Sequence, residues 1–292
     1  MHELKRRLIL LVATICVFFV AFLIWQNYSE SNDFSSMEGE IMIMQQMNPT
    51  ETPMYKFNLQ TDALLPFHNN FFEPHYCVND GNKLLAVIQN GDEQDIYEIE
   101  DDNASYSKRE KIIAGKNIQF PKSIPGRHAI SFIEEGELKV YDRDTGALTS
   151  IASLDSGYLY YDWLDSNRVL FTAQDEQKSP HIMSFNLTNH QLDEYKSNAS
   201  NPSLSYNKKY IAYQQSNETN VVHIDSITGN DHSTIQVDTQ GMLPYKPSPD
   251  GKYLLTNMYT NSISNVVIIH IPTTKIKTLL RSTWAEYLDW KL

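Results

Sequence analysis

The chain has 292 residues, a formal net charge of −12 at pH 7 and 41% hydrophobic residues. Such an acidic chain is poorly suited to nucleic acid or anionic membrane surfaces as main partners. It has two cysteines, Cys16 and Cys77, which excludes a disulfide-rich scaffold.

The N-terminus predicts a membrane anchor. Residues 1–7 contain three basic residues, whereas residues 8–25, from Leu8 to Trp25, carry no charge. Eighteen residues in an α-helix span about 27 Å, close to the thickness of a bilayer core. Because basic residues favour the cytoplasmic side, we predict a single-pass signal anchor in the cell membrane. Its N-terminus is then cytoplasmic and the C-terminal domain extracytoplasmic.

Two other interpretations of this segment are a cleaved signal peptide and a lipoprotein signal. The apolar run is longer than a typical signal-peptide core, and no small-x-small cleavage site follows it. A lipoprotein cysteine ends its apolar run, whereas nine apolar residues follow Cys16. We therefore expect the helix to be retained, with Cys16 inside it.

Residues 26–37 are polar and without periodicity, which predicts a short tether. Residues 38–292 are then predicted to form one domain. Beyond residue 25 the chain has 35 acidic and 21 basic residues, a net charge of −14. This negative charge is compatible with cations, basic peptides or neutral glycans as ligands. It is also compatible with a role in solubility alone. An exported domain without a disulfide favours a bacterial envelope.

A turn recurs along this domain at nearly fixed spacing. Intervals of 42, 45, 40, 41 and 44 residues separate its markers, which are Gly39, Gly81, Gly126, Ser166, Asn207 and Gly251. These residue types tolerate a positive φ or form local side-chain hydrogen bonds. A short strand pattern precedes each marker from Gly81 onward, and three more follow every marker. Four strands every 40 to 45 residues are typical of a β-propeller blade.

The two ends of the chain predict the closing blade. The C-terminal stretch 284–292 resembles the inner-strand stretch 158–164, with Asp162-Trp163 matched by Asp289-Trp290. Three further strands follow Gly39, at 41–45, 54–59 and 64–67. We therefore predict an all-β, six-bladed β-propeller of four-stranded antiparallel blades. One C-terminal strand joins three N-terminal strands in the last blade, which removes two unpaired sheet edges. A β-sandwich or an irregular all-β fold is the alternative.

The segment YKPSPDGKY at 245–253 resembles the W-S-P-D-G-K repeat of TolB-type, WD40-like propellers, and 206–213 is a weaker copy. Prolyl oligopeptidases and dipeptidyl peptidases share that pattern. The resemblance implies a ring of six or seven blades with a binding role. TolB proteins add an N-terminal α/β domain, and the peptidases add a hydrolase domain with the catalytic serine. This sequence shows neither pattern, so neither activity is carried over.

No nucleophile elbow, P-loop, H-E-x-x-H or C-x-x-C motif occurs. No catalytic residue, metal ion or cofactor is therefore predicted. A lyase or glycoside hydrolase acting in the channel mouth is the alternative, and it would need converging titratable groups. The candidates for such groups are His68, Glu73, His75, Asp162 and Asp289.

Aromatic residues on or just before predicted inner strands are candidate ligand-binding residues at the channel mouth. They are Tyr158, Tyr160, Trp163, Tyr245, Tyr287 and Trp290. The alternative is that they pack between neighbouring blades. We predict a recognition face built by the loops linking the second and third strands and by those entering the inner strands. The entering loops are 68–74, 196–201, 239–242 and 281–283.

The predicted function is therefore a non-catalytic, membrane-anchored module that binds a protein or glycan of the bacterial cell envelope. The other hypotheses are the enzyme described above and a purely structural propeller within an envelope assembly.

Overall fold

The computed structural model describes residues 33–34, 37–45, 54–67, 74–80, 83–100, 109–155, 157–218, 220–237, 242–260, 263–282 and 285–291. The chain divides into two compact units, Met1–Glu38 and Gly39–Leu292. In the first unit the backbone N–H of Met37 donates to the carbonyl of Phe34. No helix in the described ranges is long and apolar enough to cross a membrane. The predicted anchor at 8–25 lies outside those ranges and stays a prediction.

The described part of the second unit contains 24 strands in six four-stranded antiparallel sheets, called blades 1 to 6 here. Blade 1 contains β24 (Ala285–Lys291), β1 (Glu40–Gln45), β2 (Met54–Asn58) and β3 (Ala63–Phe67); blade 2 contains β4 (Pro74–Asp80), β5 (Lys83–Asn90), β6 (Glu93–Glu100) and β7 (Arg109–Gly115); blade 3 contains β8 (Ile118–Ser123), β9 (Ala129–Glu134), β10 (Glu137–Asp142) and β11 (Leu148–Ser153).

The remaining blades repeat this arrangement. Blade 4 contains β12 (Tyr161–Trp163), β13 (Arg168–Gln174), β14 (Pro180–Asn186) and β15 (Leu192–Lys196); blade 5 contains β16 (Ala199–Leu204), β17 (Tyr210–Gln215), β18 (Val221–Ser226) and β19 (His232–Gln236); blade 6 contains β20 (Met242–Pro247), β21 (Tyr253–Thr260), β22 (Ile263–His270) and β23 (Lys275–Ser282).

Blade 1 joins the two ends of the domain. β24 pairs antiparallel with β1, so that Trp290 lies opposite Ile41 and Ala285 lies opposite Gln45. Trp290 and Ile41 are both buried. The predicted six-bladed all-β architecture, with one blade shared between the ends, is confirmed. The three N-terminal strands of blade 1 begin and end within one residue of the predicted bounds.

The first strand of each blade is the innermost one and lies beside the channel. Inner strands of successive blades contact one another, for example β4 with β8, β12 with β16 and β16 with β20. The ring continues through blade 1, because β24 contacts β22 of blade 6 on one side and β4 of blade 2 on the other. The inner strands therefore fix which side chains converge at the centre.

The second strands are buried on both faces, and blade 4 shows how this happens. Val169 and Phe171 pack with Ala129 of blade 3, whereas Leu170 packs with Leu204 of blade 5. Successive side chains of a strand point to opposite faces. Since both faces meet a neighbouring blade, the strand has an unbroken apolar run rather than an alternating pattern.

Three of the turn markers have a positive φ, which is one of the two alternatives predicted for them. Gly39, Gly126 and Gly251 have φ of 103°, 70° and 71°. Asn207 instead uses its side chain, whose Oδ1 accepts the backbone N–H of Lys209 at 3.2 Å. Gly81 lies outside the described residues.

Candidate functional site

The inner strand of blade 4 presents its three residues in alternation. Tyr161 and Trp163 pack toward blade 3, where the Trp163 Nε1–H donates to Ser131 Oγ at 2.7 Å. Asp162 lies between them and points the other way, and its Oδ2 accepts the backbone N–H of Leu204 in blade 5 at 2.9 Å. Asp162 is 3% exposed. A carboxylate this deeply buried needs charged partners or hydrogen bonds.

Three lysines from three other blades surround the Asp162 carboxylate. Lys208, in the turn between β16 and β17 of blade 5, donates from Nζ to Oδ1 at 3.1 Å. Lys122 Nζ, in β8 of blade 3, lies 3.6 Å from Oδ1, and Lys246 Nζ, in β20 of blade 6, lies 3.6 Å from Oδ2. We call these four residues the Asp162 cluster. Because blades 4 and 6 are not neighbours, the last contact crosses the central channel.

The Asp162 cluster lies toward one end of the channel. Lys122, Asp162 and Lys246 are each the next-to-last residue of an inner strand, and Lys208 follows an inner strand. We call this end the turn end. The predicted recognition face lies at the opposite end, where loops enter the inner strands. Tyr158 and Tyr160, which precede β12, belong to that entry end.

Lys208 has an uncommon backbone conformation, with φ of 58°. Its counterpart in blade 6 is Gly251, because the two turns share one hydrogen-bond pattern. The Lys208 N–H donates to the carbonyl of Ser205 at 2.9 Å, and the Gly251 N–H donates to that of Ser248 at 3.0 Å. A left-handed conformation costs a non-glycine residue roughly 1 kcal/mol. Blade 5 therefore has a strained lysine where blade 6 has glycine.

The electrostatics of the cluster favour the ionised carboxylate. Burial alone would raise the pKa of Asp162, but the three ammoniums and the Leu204 N–H outweigh burial and hold this pKa well below its usual range. At an effective dielectric constant of 20, an ammonium about 3.5 Å from a carboxylate gains roughly 5 kcal/mol. Two ammoniums about 7 Å apart repel each other by roughly 2 kcal/mol. Repulsion from the other two ammoniums therefore cancels nearly all of the attraction that the third lysine gains.

The predicted ligand-binding aromatics lie in two environments. Trp163, Tyr245 and Trp290 are at most 2% exposed. This burial favours the alternative that they pack between neighbouring blades. Their ligand-binding role stays a prediction. Tyr158 and Tyr160 are partly exposed at the entry end, where a ligand can reach them.

Of the titratable groups predicted for catalysis, the structure describes only the side chain of Asp162. A carboxylate held ionised by lysines cannot donate a proton near neutral pH. Within the described ranges, no group of three His, Cys, Asp or Glu side chains is arranged to hold a metal ion. The other predicted side chains lie outside the described set, namely those of His68, Glu73, His75, Tyr287 and Asp289.

A second ionic cluster joins blades 4 and 5 away from the channel. Asp225 in β18 accepts a hydrogen bond from Lys196 of blade 4 and another from the Tyr213 hydroxyl at 3.0 Å. His232 Nδ1 lies 2.5 Å from the same carboxylate. Burial alone would raise the pKa of Asp225. The hydrogen bonds from Lys196, His232 and Tyr213 outweigh burial, so the pKa is lowered from its usual value. These groups lie on middle and outer strands, away from the channel. The cluster therefore stabilises the contact between blades 4 and 5.

Sequence reasoning singled out Asp162 but none of the lysines. A lysine near the end of a strand resembles ordinary solvated charge, and the partners are more than 35 residues away in the chain. One feature of the sequence could have indicated the cluster. Aligning the inner strands by their last residues places Lys122, Asp162 and Lys246 at one level of the channel.

A search with models of protein families found no match, and neither did a search of curated proteins. Solved structures give the fold. TolB from Acinetobacter baumannii superposes with a TM-score of 0.66 at 16% identity, covering 88% of this chain and 67% of that protein. A TolB-like protein from Agrobacterium tumefaciens gives 0.54 at 10% identity, covering 87% of this chain and 100% of that one.

A 6-phosphogluconolactonase-like protein from Bacteroides uniformis gives a TM-score of 0.53 at 14% identity, covering 85% of this chain and 84% of that one. At such identities the similarity establishes the fold rather than the activity. The resemblance seen in the turn at 245–253 is confirmed at that level: this chain has the fold of a TolB-like six-bladed β-propeller.

Proposed function

We propose that this protein is a non-catalytic binding module of the bacterial cell envelope, anchored in the membrane by residues 8–25 with its propeller outside the cytoplasm. A protein or a glycan is its partner, bound at an end of the channel. The likeness to TolB propellers and the uncharged N-terminal run support this assignment.

The observation that carries the proposal is the Asp162 cluster. Four charged side chains from blades 3, 4, 5 and 6 converge on the channel, and the carboxylate among them is held ionised. Fixed charges on a rigid ring suit recognition of a charged partner. Proton transfer would instead require a group that titrates near neutral pH.

The anchor is tested by a topology reporter. Alkaline phosphatase, which is active only outside the cytoplasm, is fused after residue 292 of the full chain. We expect high phosphatase activity in the membrane fraction and none in the soluble fraction. Activity released into the medium would show cleavage of the N-terminal segment, and an inactive fusion would place the propeller in the cytoplasm.

Partner binding is tested by photocrosslinking in intact cells. A photoreactive residue replaces Tyr158 at the entry end or Lys252 at the turn end, with Leu192 on an outer strand as the control. Lys252 and Leu192 are both exposed. We expect one discrete adduct from a channel-end position and none from the control. Equal labelling at all three positions, or none at any, would contradict a channel-end binding site.

The alternative, a lyase or glycoside hydrolase, has some support from the similarity to a 6-phosphogluconolactonase-like protein. It requires a second titratable group beside Asp162. Purified full-length protein would be assayed with envelope polysaccharides and with sugar lactones. Turnover that disappears in Asp162→Asn, in a variant that still folds, would favour the enzyme over the binding module.

A further inference from the structure

We propose that His181 forms a pH-sensitive latch, which holds one loop of the entry end in place while both of its ring nitrogens are protonated. The loop is residues 175–179, called the Asp175 loop here, which connects β13 and β14 of blade 4. Loops between second and third strands belong to the predicted recognition face. The effect of the latch on partner binding therefore rests on the proposed function, whereas the latch itself does not require a partner.

His181 contacts a carboxylate through each of its two ring nitrogens. Its Nδ1 lies 2.8 Å from Oε2 of Glu194 on β15, and its Nε2 lies 3.2 Å from Oδ2 of Asp175. A neutral imidazole has one N–H donor and one acceptor nitrogen, whereas the imidazolium has two donors. A carboxylate only accepts. Both contacts are therefore hydrogen bonds at the same time only when the ring carries its positive charge.

Three other histidines lack this requirement. His128, His223 and His232 each contact a carboxylate through one ring nitrogen. A neutral ring satisfies each of these contacts with its single donor. The double contact of His181 therefore couples its structure to its charge in a way that the other three do not.

His181 is the cation that neutralises the two carboxylates. Within the described ranges, neither Asp175 nor Glu194 pairs with a lysine or an arginine. On the neighbouring strands, Ala173 of β13 lies opposite His181, and Lys196 of β15 pairs with Asp225 of blade 5. The remaining charged residues of the adjoining loops and of β15 are exposed and form no bond with the ring: Asp155, Glu176, Lys178 and Asp193.

The side of β14 that faces blade 3 is apolar. Side chains alternate along a strand, so His181 shares the face of Met183, which packs on the core between blades 3 and 4. Blade 3 contributes Leu138 and Val140 to that core, and its outer strand β11 has no charged residue. The charged residues of β10 lie elsewhere: Asp142 is at the turn end, and Glu137 and Lys139 alternate to the opposite face.

The Asp175 carboxylate organises the loop that the latch holds. Its Oδ1 accepts the backbone N–H groups of Gln177 at 2.9 Å and of Ser179 at 2.8 Å, whereas its Oδ2 faces His181. These hydrogen bonds, that of Ser179 foremost, hold the pKa of Asp175 below its usual value. The carboxylate therefore stays ionised at the pH at which a histidine changes charge, and His181 ties the loop to Glu194 on the outer strand.

Loss of a proton from His181 breaks one of the two contacts. A neutral ring donates to one carboxylate and turns a lone pair toward the other, which repels it. The Asp175 contact is the longer one, at 3.2 Å against 2.8 Å, so we expect it to break. The contact is therefore present at acidic pH and lost as pH rises through the range, between about pH 5 and pH 8, in which histidine titrates. Partner binding at the entry end should be stronger at acidic pH.

The experiment measures amide hydrogen exchange of the full-length protein in detergent micelles at about pH 5.5 and about pH 8. Each rate is corrected for the exchange rate of an unstructured peptide at the same pH. The matched control is the turn in which Asp165 accepts the N–H groups of Asn167 and Arg168 at 2.8 and 2.9 Å. Its carboxylate also accepts from the guanidinium of Arg168, which does not titrate in this range.

We expect protection of the Asp175 loop to fall about tenfold from the lower to the higher pH, as the loss of one charge-assisted hydrogen bond implies. Protection of the Asp165 turn should change less than about twofold, because its partner keeps its charge. Both turns belong to blade 4 of the same molecule, so global unfolding affects them alike.

Two variants test the role of the proton. In His181→Arg, the guanidinium donates to both carboxylates at either pH, so protection should stay high and lose its pH dependence. In His181→Gln, the amide donates to one carboxylate only, so protection should be low at both pH values. The proposal is overturned if the two turns of wild type change alike, if His181→Gln keeps the wild-type pH dependence, or if His181→Arg loses protection at the lower pH. The comparison within wild type decides even where a variant does not fold.

A photoreactive residue at Lys178, an exposed position in the Asp175 loop, connects the latch with partner binding. Adduct yield should be higher at the lower pH in wild type and equal at both pH values in His181→Arg. Equal yields in wild type would overturn the effect on binding. A blank crosslinking result at both pH values would contradict the proposed function, whereas the exchange measurement would still test the latch.

Discussion

Replacing Asp162 with alanine should destabilise the propeller more than any surface change. The substitution leaves three ammoniums together without their carboxylate and removes the acceptor for the Leu204 N–H. Removing one partner from a buried ion pair costs roughly 3 to 5 kcal/mol. The lysines keep partial contact with solvent, so we expect a loss near the lower limit, about 3 kcal/mol.

The assay is urea unfolding of the full-length protein in detergent, followed by tryptophan fluorescence. Lys208→Gly makes the test specific, because its effect should depend on Asp162. In wild type the attraction that it loses is nearly cancelled by the repulsion that it relieves, and it regains about 1 kcal/mol of backbone strain, so it should be neutral or slightly stabilising. In Asp162→Ala it removes about 1 kcal/mol of strain and up to about 2 kcal/mol of repulsion from each of two ammoniums, so it should stabilise by about 2 to 5 kcal/mol, the lower figure applying where the partly exposed lysines move apart.

This dependence on background is the test of the electrostatic reasoning. Lys209→Gln, on the same turn but outside the cluster, should have the same small effect in both backgrounds. A loss of less than about 1 kcal/mol in Asp162→Ala would refute the reasoning. So would a Lys208→Gly effect that is identical with and without the carboxylate.

Three other predictions follow from single contacts. Because the pKa of Asp162 is lowered in the folded state, the stabilisation that its carboxylate provides is present above about pH 4 and is lost as pH falls. Urea midpoints should therefore fall more steeply toward pH 3 in wild type than in Asp162→Asn. Parallel curves for the two proteins would contradict this. A Cβ on Gly251 would lie 2.5 Å from a tyrosine ring, whereas one on Gly146 meets nothing within 4 Å at the same φ of 71°; Gly251→Ala should cost roughly 3 kcal/mol and Gly146→Ala about 1 kcal/mol in urea unfolding. Ser131→Ala leaves the buried Trp163 N–H without its acceptor, which should lower the free energy of unfolding by about 1 to 3 kcal/mol; an unchanged urea midpoint would show that this hydrogen bond contributes nothing.

The architecture could be predicted because it repeats. Each blade needs the same turn and the same doubly buried strand, so the pattern recurs at a fixed spacing. The match of Asp162-Trp163 with Asp289-Trp290 identified the C-terminal inner strand. Each tryptophan lies opposite the second residue of the next strand of its blade. Trp163 lies opposite Val169 of β13, and Trp290 lies opposite Ile41 of β1.

The Asp162 cluster could not be predicted in the same way, because it depends on contacts across the ring. Lys246 reaches a carboxylate two blades away, and no local pattern encodes that contact. The inner strand of blade 4 is also shorter than predicted, at Tyr161–Trp163. The residues before it serve as an entering loop, which leaves Tyr158 partly exposed while Trp163 is buried.

The central claim is that the two ends of the domain share one sheet, and a disulfide tests it most directly. Cysteines replace Glu40 and Lys291, which lie opposite each other in the β1–β24 register, in a chain whose Cys16 and Cys77 are serine. Side chains at directly opposed positions are close enough for a disulfide. We predict rapid, quantitative formation of this crosslink on mild oxidation, and little with the mismatched pair Gln45 and Lys291. Equal crosslinking of both pairs, or of neither, would contradict the closed six-bladed ring.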